Sequence, residues 1–379
     1  MRATKTAKHG WIAALLVLAA CQGTQASASA DGSADAGSHL TERGAVGAHA
    51  VATGLDDPAG FTILPNGNIV YLERATGRVR LLDPSTDRDR ILFTIAGVNG
   101  DGERGALGVA AAPQWPSPRM LWVYVTRRSG GALRNQVVRI PIKNGHGTGM
   151  KVLLSQPASS DPYHNGGRIL FGPDKKLFVF IGDGHSSANA QNLSGGNLRG
   201  KLLRINPNGS VPSDNPTAGS KVFSFGHRNS YGFTFDPATG SIWETENGPE
   251  CNDEINRPVA GGNYSWGANE TCSGSAPGNT NNSGPSPRHQ PEWFTGATIG
   301  ITGDAFCDRC GVTGLSGKLL VGANNDGILR VFTLNAARDA IVGGPAQPFT
   351  SRDGTIYSME VAPTGSVYFS TFAGIYRLT

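Results

Sequence analysis

Four segments of the chain concentrate the residue types that carry chemistry: 100–108 (GDGERGALG), 163–184 (YHNGGRILFGPDKKLFVFIGDG), 197–216 (NLRGKLLRINPNGSVPSDNP) and 225–267, which opens FGHRNSYGFTFDP. In the second, His164 stands directly before Asn165-Gly166-Gly167. A neutral imidazole suits removal of a hydroxyl proton near pH 7, and glycine lets backbone approach a ligand closely. In the fourth, Arg228 sits in Gly226-His227-Arg228-Asn229. Its planar guanidinium can grip two oxygens at once. Further on, Asp253 and Glu254 are hard oxygen donors of the kind that hold Ca²⁺. Each has a competing structural reading: a loop-bonding His164, an Arg228 salt bridge between neighbouring elements, a capped and solvated acidic turn.

Composition limits what surrounds these residues. Only 16% of the 379 residues are charged and 53 are Gly. Against a usual charged share of roughly 25%, this excludes a solvated disordered chain and a long coiled coil, and it implies many tight turns. The formal net charge is +4, and Arg2, Lys5 and Lys8 contribute three of it. The rest is near neutral, with no basic field for nucleic acid.

Residues 1–20 combine a positive start with the apolar run WIAALLVLAA (11–20), too short to span a bilayer. They read as an export signal. Leu18-Ala19-Ala20-Cys21 resembles a bacterial lipoprotein cleavage box, which implies lipidation of Cys21; plain secretion is the alternative. Residues 21–48, rich in Ser, Ala and Gly, read as a flexible tether. The expected location is extracytoplasmic, lipid-anchored or secreted, with the membrane touched only through the lipid. There, Cys251, Cys272, Cys307 and Cys310 favour disulfides, paired 251–272 and 307–310. A four-thiolate zinc site is the competitor.

The elements that must position the chemistry are strands. Turn-introduced apolar runs recur at 69–73, 121–126, 177–183, 242–247, 319–324 and 367–371. Most are followed by a second, Arg-bearing run, at 77–83, 136–142, 200–207, 327–334 and 374–379. No helix-length amphipathic pattern competes; the nearest, 106–113, is short and ends at Pro113. Six such units over 49–379 predict an all-β, six-bladed β-propeller with four-stranded blades. A pair of β-sandwiches is the alternative. Ligands of a propeller are expected on the loops around its central channel.

The order HNGG, GPD and GD, then LRGK, LRINP, GSVP and DNP, then GHRN and FDP, then E-GP, DEIN and G-NY-W, resembles the soluble quinoprotein glucose/sorbosone dehydrogenase family, over roughly residues 50–379. The family fold is a six-bladed propeller. The resemblance implies oxidation of the anomeric hydroxyl of aldose sugars by pyrroloquinoline quinone (PQQ) with Ca²⁺, and an external electron acceptor. It makes His164 the general base and places Arg228, with Asn229 beside it, at the quinone oxygens. Gly248 and Pro249 match carbonyls that hold the Ca²⁺ of the cofactor. Glu254 and the Tyr264 carbonyl match a structural Ca²⁺ site that Asp253 assists. Glu103 and Tyr163 fall at sugar-contacting positions; Glu103 could instead orient His164, or pair with Arg104 or Arg168. His227, Arg199, Lys201, Trp243 and Trp266 take structural readings, and 278–284 reads as a solvated loop.

The chain also departs from the family. Tyr163 replaces an Asp and Tyr231 a Gln. Thr355 and Tyr357 replace two Arg, and Asn324 or Asn325 replaces a Lys. Those three cations face the carboxylates of PQQ. Their loss weakens binding by on the order of several kcal/mol unless another cation substitutes; Arg330 and Arg352 are the candidates. Two other functions therefore stay open: a propeller that binds a glycan or other ligand without oxidising it, and a Ca²⁺-dependent lactonase-type hydrolase.

Overall fold

The computed structural model describes residues 46–267 and 271–379. The export signal and Cys21 fall outside them. Six antiparallel sheets follow one another along the chain. Their innermost strands are Pro58–Ile63, Ala106–Ala111, Ile169–Phe171, Ser230–Phe235, Ile301–Cys307 and Ser358–Val361. We number the blades 1 to 6 in that order. Innermost strands of neighbouring blades pack side by side, except that Ser230–Phe235 of blade 4 meets blade 3 through its second strand Leu177–Ile181, and the first packs beside the sixth, so the ring closes as a six-bladed β-propeller. Closure uses the N-terminal side: Ala48–Thr53 pairs with Gly374–Leu378 as the outer strand of blade 6. The last residue assigned to the tether is thus already in a strand.

The apolar runs of the sequence are the second strands of the blades, for instance Ile69–Glu73 and Leu177–Ile181. Their composition follows from burial on both faces. In Ile69–Glu73, Val70 and Leu72 pack with Val123 and Val138 of blade 2. The alternate residues Ile69 and Tyr71 pack with Ile375 of blade 6. A strand covered on both sides has no polar face, so it reads as a continuous apolar run. The core is accordingly six inter-blade layers, one between each neighbouring pair.

The segment 106–113, the nearest helix candidate, forms the innermost strand of blade 2. A Cβ on its Gly108 would lie 2.2 Å from the Gly167 carbonyl oxygen of blade 3, and one on Gly232 would lie 2.2 Å from that of Thr302. Glycine at these points lets adjacent blades converge at the axis. Cys251–Cys272 and Cys307–Cys310 are disulfides, with Cα separations of 5.6 and 5.1 Å; all four thiols are used, so the zinc alternative falls. Among the described residues no helix is long and apolar enough to cross a membrane.

Candidate active site

Antiparallel pairing sets the site. The start of each innermost strand lies beside the end of the second strand of its own blade. The Arg74 N–H donates to Asp57 in blade 1, Asn247 to Asn229 in blade 4, Asn324 to Gly300 in blade 5 and Tyr357 to Ser370 in blade 6. The loops at these junctions gather at one end of the ring. They enclose a cavity of about 500 Å³, within the usual range for small-molecule sites. His164, Arg228, Asn229, Glu103, Tyr163, Gly248 and Pro249 all line it, so motifs spread over nearly 150 residues meet in one place.

His164 precedes the innermost strand of blade 3, and Asp183 follows the second. The His164 Nδ1 lies 2.7 Å from Asp183 Oδ1, with side-chain exposures of 8% and 1%. The carboxylate holds the proton on Nδ1 and leaves Nε2 as the basic nitrogen. Trp266 Nε1 donates to the other Asp183 oxygen at 2.7 Å. The backbone of His164 is left-handed (φ 55°), a conformation costly for a residue with a side chain. Glu103 pins it, accepting the His164 N–H at 2.7 Å and the Asn229 amide at 3.2 Å. Neither arginine proposed for Glu103 is its partner. Arg104 holds the carbonyls of Ser159, Ser160 and Asp161, and Arg168 pairs with Glu360 at 2.8 Å.

Arg228 donates to the Asn247 carbonyl at 2.8 Å and lies 5.3 Å over the Trp266 ring. Trp266 thus contacts Asp183 through its indole N–H and the arginine through its π face, contacts that come in addition to its packing in the interior. Behind Asp183, Asn189 donates to the Asp183 carbonyl at 2.8 Å from the short helix Ser187–Gln191. Lys201 clamps that helix, donating to the Asn189 and Arg199 carbonyls at 2.8 and 2.7 Å. Burial pushes its pKa down to about 7.

Part of the lining is uncharged. Asn324, Asn325 and Tyr357 line the cavity, together with Tyr231 and Phe372. Neither Arg330 nor Arg352 does: Arg330 is turned to Asp326, 2.6 Å away. The second cation of the cavity is Arg74, which directly follows the IVYLE strand and carries no motif of its own. It is tethered to Asp57 and to the carbonyls of Gly100, Gly102 and Arg104.

The metal candidates fall into two places. Among the described residues, no backbone N–H donates to the Gly248 or Pro249 carbonyl. Asp253 fixes their loop, accepting from the Gly248 N–H at 2.9 Å and from the Ile299 and Ile301 N–H groups. Two free carbonyls on a fixed loop fit a hard cation. Glu254 and Tyr264 lie elsewhere, in the interior. The Tyr264 ring stacks on His227 at 4.7 Å, and His227 faces Glu244 and Glu246 at 3.3 and 3.2 Å. Burial works against a charge on His227, but the two carboxylates outweigh it and push its pKa up to about 9. Burial, then Glu246, raises the Glu254 carboxyl well above its ordinary value. Buried oxygens of Glu244 and Glu246 have no hydrogen-bond partner among the described residues. This excess of buried oxygen donors beside Glu254 fits a divalent cation. The segment 278–284, expected to be solvated, is folded over this region. Asn279 to Asn282 are buried, and the Asn281 N–H donates to Glu254 Oε1.

A six-bladed propeller with an acid-braced histidine and two arginines in its mouth defines a class of ligand-binding or redox propellers. Comparison narrows it. The glucose/sorbosone dehydrogenase pattern matches residues 55–375, and the chain belongs to that family. It is 30% identical over 247 residues to quinoprotein glucose dehydrogenase B of Acinetobacter calcoaceticus, covering 57% of this chain and 51% of that one. It is 27% identical over 331 residues to aldose sugar dehydrogenase YliI of Escherichia coli, covering 84% and 87%. The PQQ-bound aldose sugar dehydrogenase of Streptomyces coelicolor superposes with a TM-score of 0.75 at 26% identity, over 88% and 97% of the two chains.

Proposed function

We propose that this protein is a quinoprotein aldose dehydrogenase, oxidising the anomeric hydroxyl of sugars with PQQ and Ca²⁺. The observation that carries the reading is the shared cavity: His164, braced by Asp183, and Arg228 line one hollow with Gly248 and Pro249. PQQ, when bound, supplies the hydride acceptor. His164 Nε2 takes the hydroxyl proton, and Asp183 stabilises the imidazolium that forms. Arg228 and Asn229 provide donors for the quinone oxygens. The Gly248 and Pro249 carbonyls would hold the catalytic Ca²⁺; Glu254, the Tyr264 carbonyl and the neighbouring carboxylates would hold the structural one. Glu103 and Tyr163 border the space for the sugar. Electrons then pass to an external acceptor.

The fit to PQQ is incomplete in charge. Arg74 and Arg228 face a trianion where the resemblance expects three further cations. That uncharged part of the lining favours a second reading, a propeller that binds a glycan without oxidising it. One experiment separates them: apo-protein is loaded with PQQ and Ca²⁺, and dye reduction is followed across an aldose panel. Oxidation predicts sugar-dependent dye reduction that His164→Ala abolishes. Sugar binding with no reduction at any PQQ concentration rejects the dehydrogenase.

The two disulfides fit an oxidising compartment, in line with extracytoplasmic placement. The lipid anchor at Cys21 is part of the proposal. Mass spectrometry of the mature N-terminus tests it: a diacylglyceryl-modified Cys21 supports the anchor, and an unmodified terminus rejects it.

A further inference from the structure

A second histidine–carboxylate pair stands beside the first. His185 Nδ1 lies 3.0 Å from Asp161 Oδ2, with side-chain exposures of 47% and 58%. The His185 and His164 rings meet edge to face, centroids 4.8 Å apart at 64°. A buried pair therefore leans on an exposed one.

The placement is built. His185, like His164, has a left-handed backbone (φ 63°). As Glu103 pins the N–H of His164, Asp183 Oδ1 pins that of His185 at 2.8 Å. The same oxygen holds the His164 ring, so both imidazoles are referenced to one atom. Asp161 is presented by Arg104, 5% exposed, whose guanidinium gathers the carbonyls of 159, 160 and 161. Left-handed non-glycine backbone persists where surrounding structure enforces it, often at functional sites.

We propose that His185, with Asp161, is the proton outlet of His164. This rests on the reading of His164 as the base. Each turnover leaves a proton on His164, which lies behind a cavity filled by cofactor and sugar. The proton passes from His164 Nε2, through one bridging water, to the free ring nitrogen of His185. A proton then leaves from His185 Nδ1 through Asp161 to solvent, both rings return to neutral, and proton exchange with solvent at the exposed His185 ring restores its starting tautomer before the next turnover. The groups facing His185 are the His164 and Tyr163 rings, Asp161 and Asp183; Glu103 acts on the His164 backbone.

The test is His185→Asn, since Asn tolerates a left-handed backbone. With PQQ, Ca²⁺ and a saturating fast dye in weak buffer, kcat is expected to fall about 10-fold, with added imidazole restoring it saturably and leaving the wild type unmoved. An unchanged kcat in weak buffer, or a loss that imidazole does not repair, overturns the outlet. A second measurement needs no turnover: with the cavity filled by PQQ, Ca²⁺ and a 1-deoxy sugar that cannot be oxidised, nitrogen NMR should show slower solvent exchange of the His164 ring proton in His185→Asn, and equal exchange overturns the proposal. If the wild type reduces no dye with any sugar, the oxidation reading fails on its own, and the exchange measurement still decides the relay.

Discussion

Trp266 donates its indole N–H to Asp183 Oδ2 at 2.7 Å, on the opposite side of the carboxylate from His164. The carboxylate that orients the His164 ring is thus itself oriented. Asp183→Asn keeps the volume but removes the charge that stabilises protonated His164 and lets the ring adopt the wrong tautomer. The expected loss in kcat is about 10²–10⁴-fold with KM little changed. Trp266→Phe removes the brace alone and is expected to cost about 10–100-fold, as for other outer partners of a catalytic group. Steady-state dye reduction checks both; a full-activity Asp183→Asn would mean that His164 is not the base.

The uncharged part of the lining makes a prediction about affinity. Asn325 and Tyr357 line the cavity at positions where the family resemblance expects cations. Asn325→Lys and Tyr357→Arg should each tighten PQQ by roughly 10-fold, one charge-assisted contact being worth ~1.5 kcal/mol or more. Arg74→Met should loosen it. Tryptophan quenching of the apo-protein by PQQ in Ca²⁺ reads the dissociation constant directly. No tightening in either variant would show that the carboxylates of the cofactor do not reach these positions.

Much of this was legible in the sequence, for a physical reason. Second strands such as Leu177–Ile181 are buried on both faces, so they announce themselves as apolar runs. Innermost strands hide because they are short, as Ile169–Phe171, or broken by a Gly, as Ala106–Ala111. Site residues carried by glycine-rich motifs, His164 and Arg228 above all, could be found because the motif marks a turn that must approach a ligand. Asp183 and His185 stood in a quoted motif and its next residue, yet they meet His164 and Asp161 only once the loops on either side of the first two strands of blade 3 are folded together. Arg74 had no signal, since an Arg after a strand is common. The burial of Asn279 to Asn282 was invisible too. A run of small polar residues looks solvated until something polar inside, here Glu254, needs covering.

The interior oxygen cluster predicts metal-dependent stability. If Glu254 helps hold a structural Ca²⁺, the ion binds the folded state and raises Tm with concentration. A chelator should lower Tm by several degrees and Ca²⁺ should restore it, whereas Glu254→Gln should abolish that response. Differential scanning calorimetry with and without chelator checks this. A Ca²⁺-dependent Tm that survives Glu254→Gln would move the structural site elsewhere.

A buried carboxyl on an innermost strand offers a test of electrostatics independent of catalysis. Asp304 lies on the innermost strand of blade 5, 2% exposed, and neither carboxylate oxygen has a hydrogen-bond partner among the described residues. Burial raises its carboxyl well above the ordinary value of 3.8, and nearby Arg168 offsets only part of this. A carboxyl with a raised pKa keeps its proton in the folded state while the unfolded chain has already released it. Below the unfolded value both states are protonated, so nothing is lost there. As pH climbs from that value toward the folded one, the native state binds more protons than the unfolded one, and stability falls. Asp304→Asn removes the titration and keeps the shape. It should therefore be more stable than the wild type at pH 8, by a margin that shrinks toward pH 4. Urea unfolding at several pH values reads the margin, and a pH-independent difference would show that Asp304 is neutral, or charged, in both states throughout.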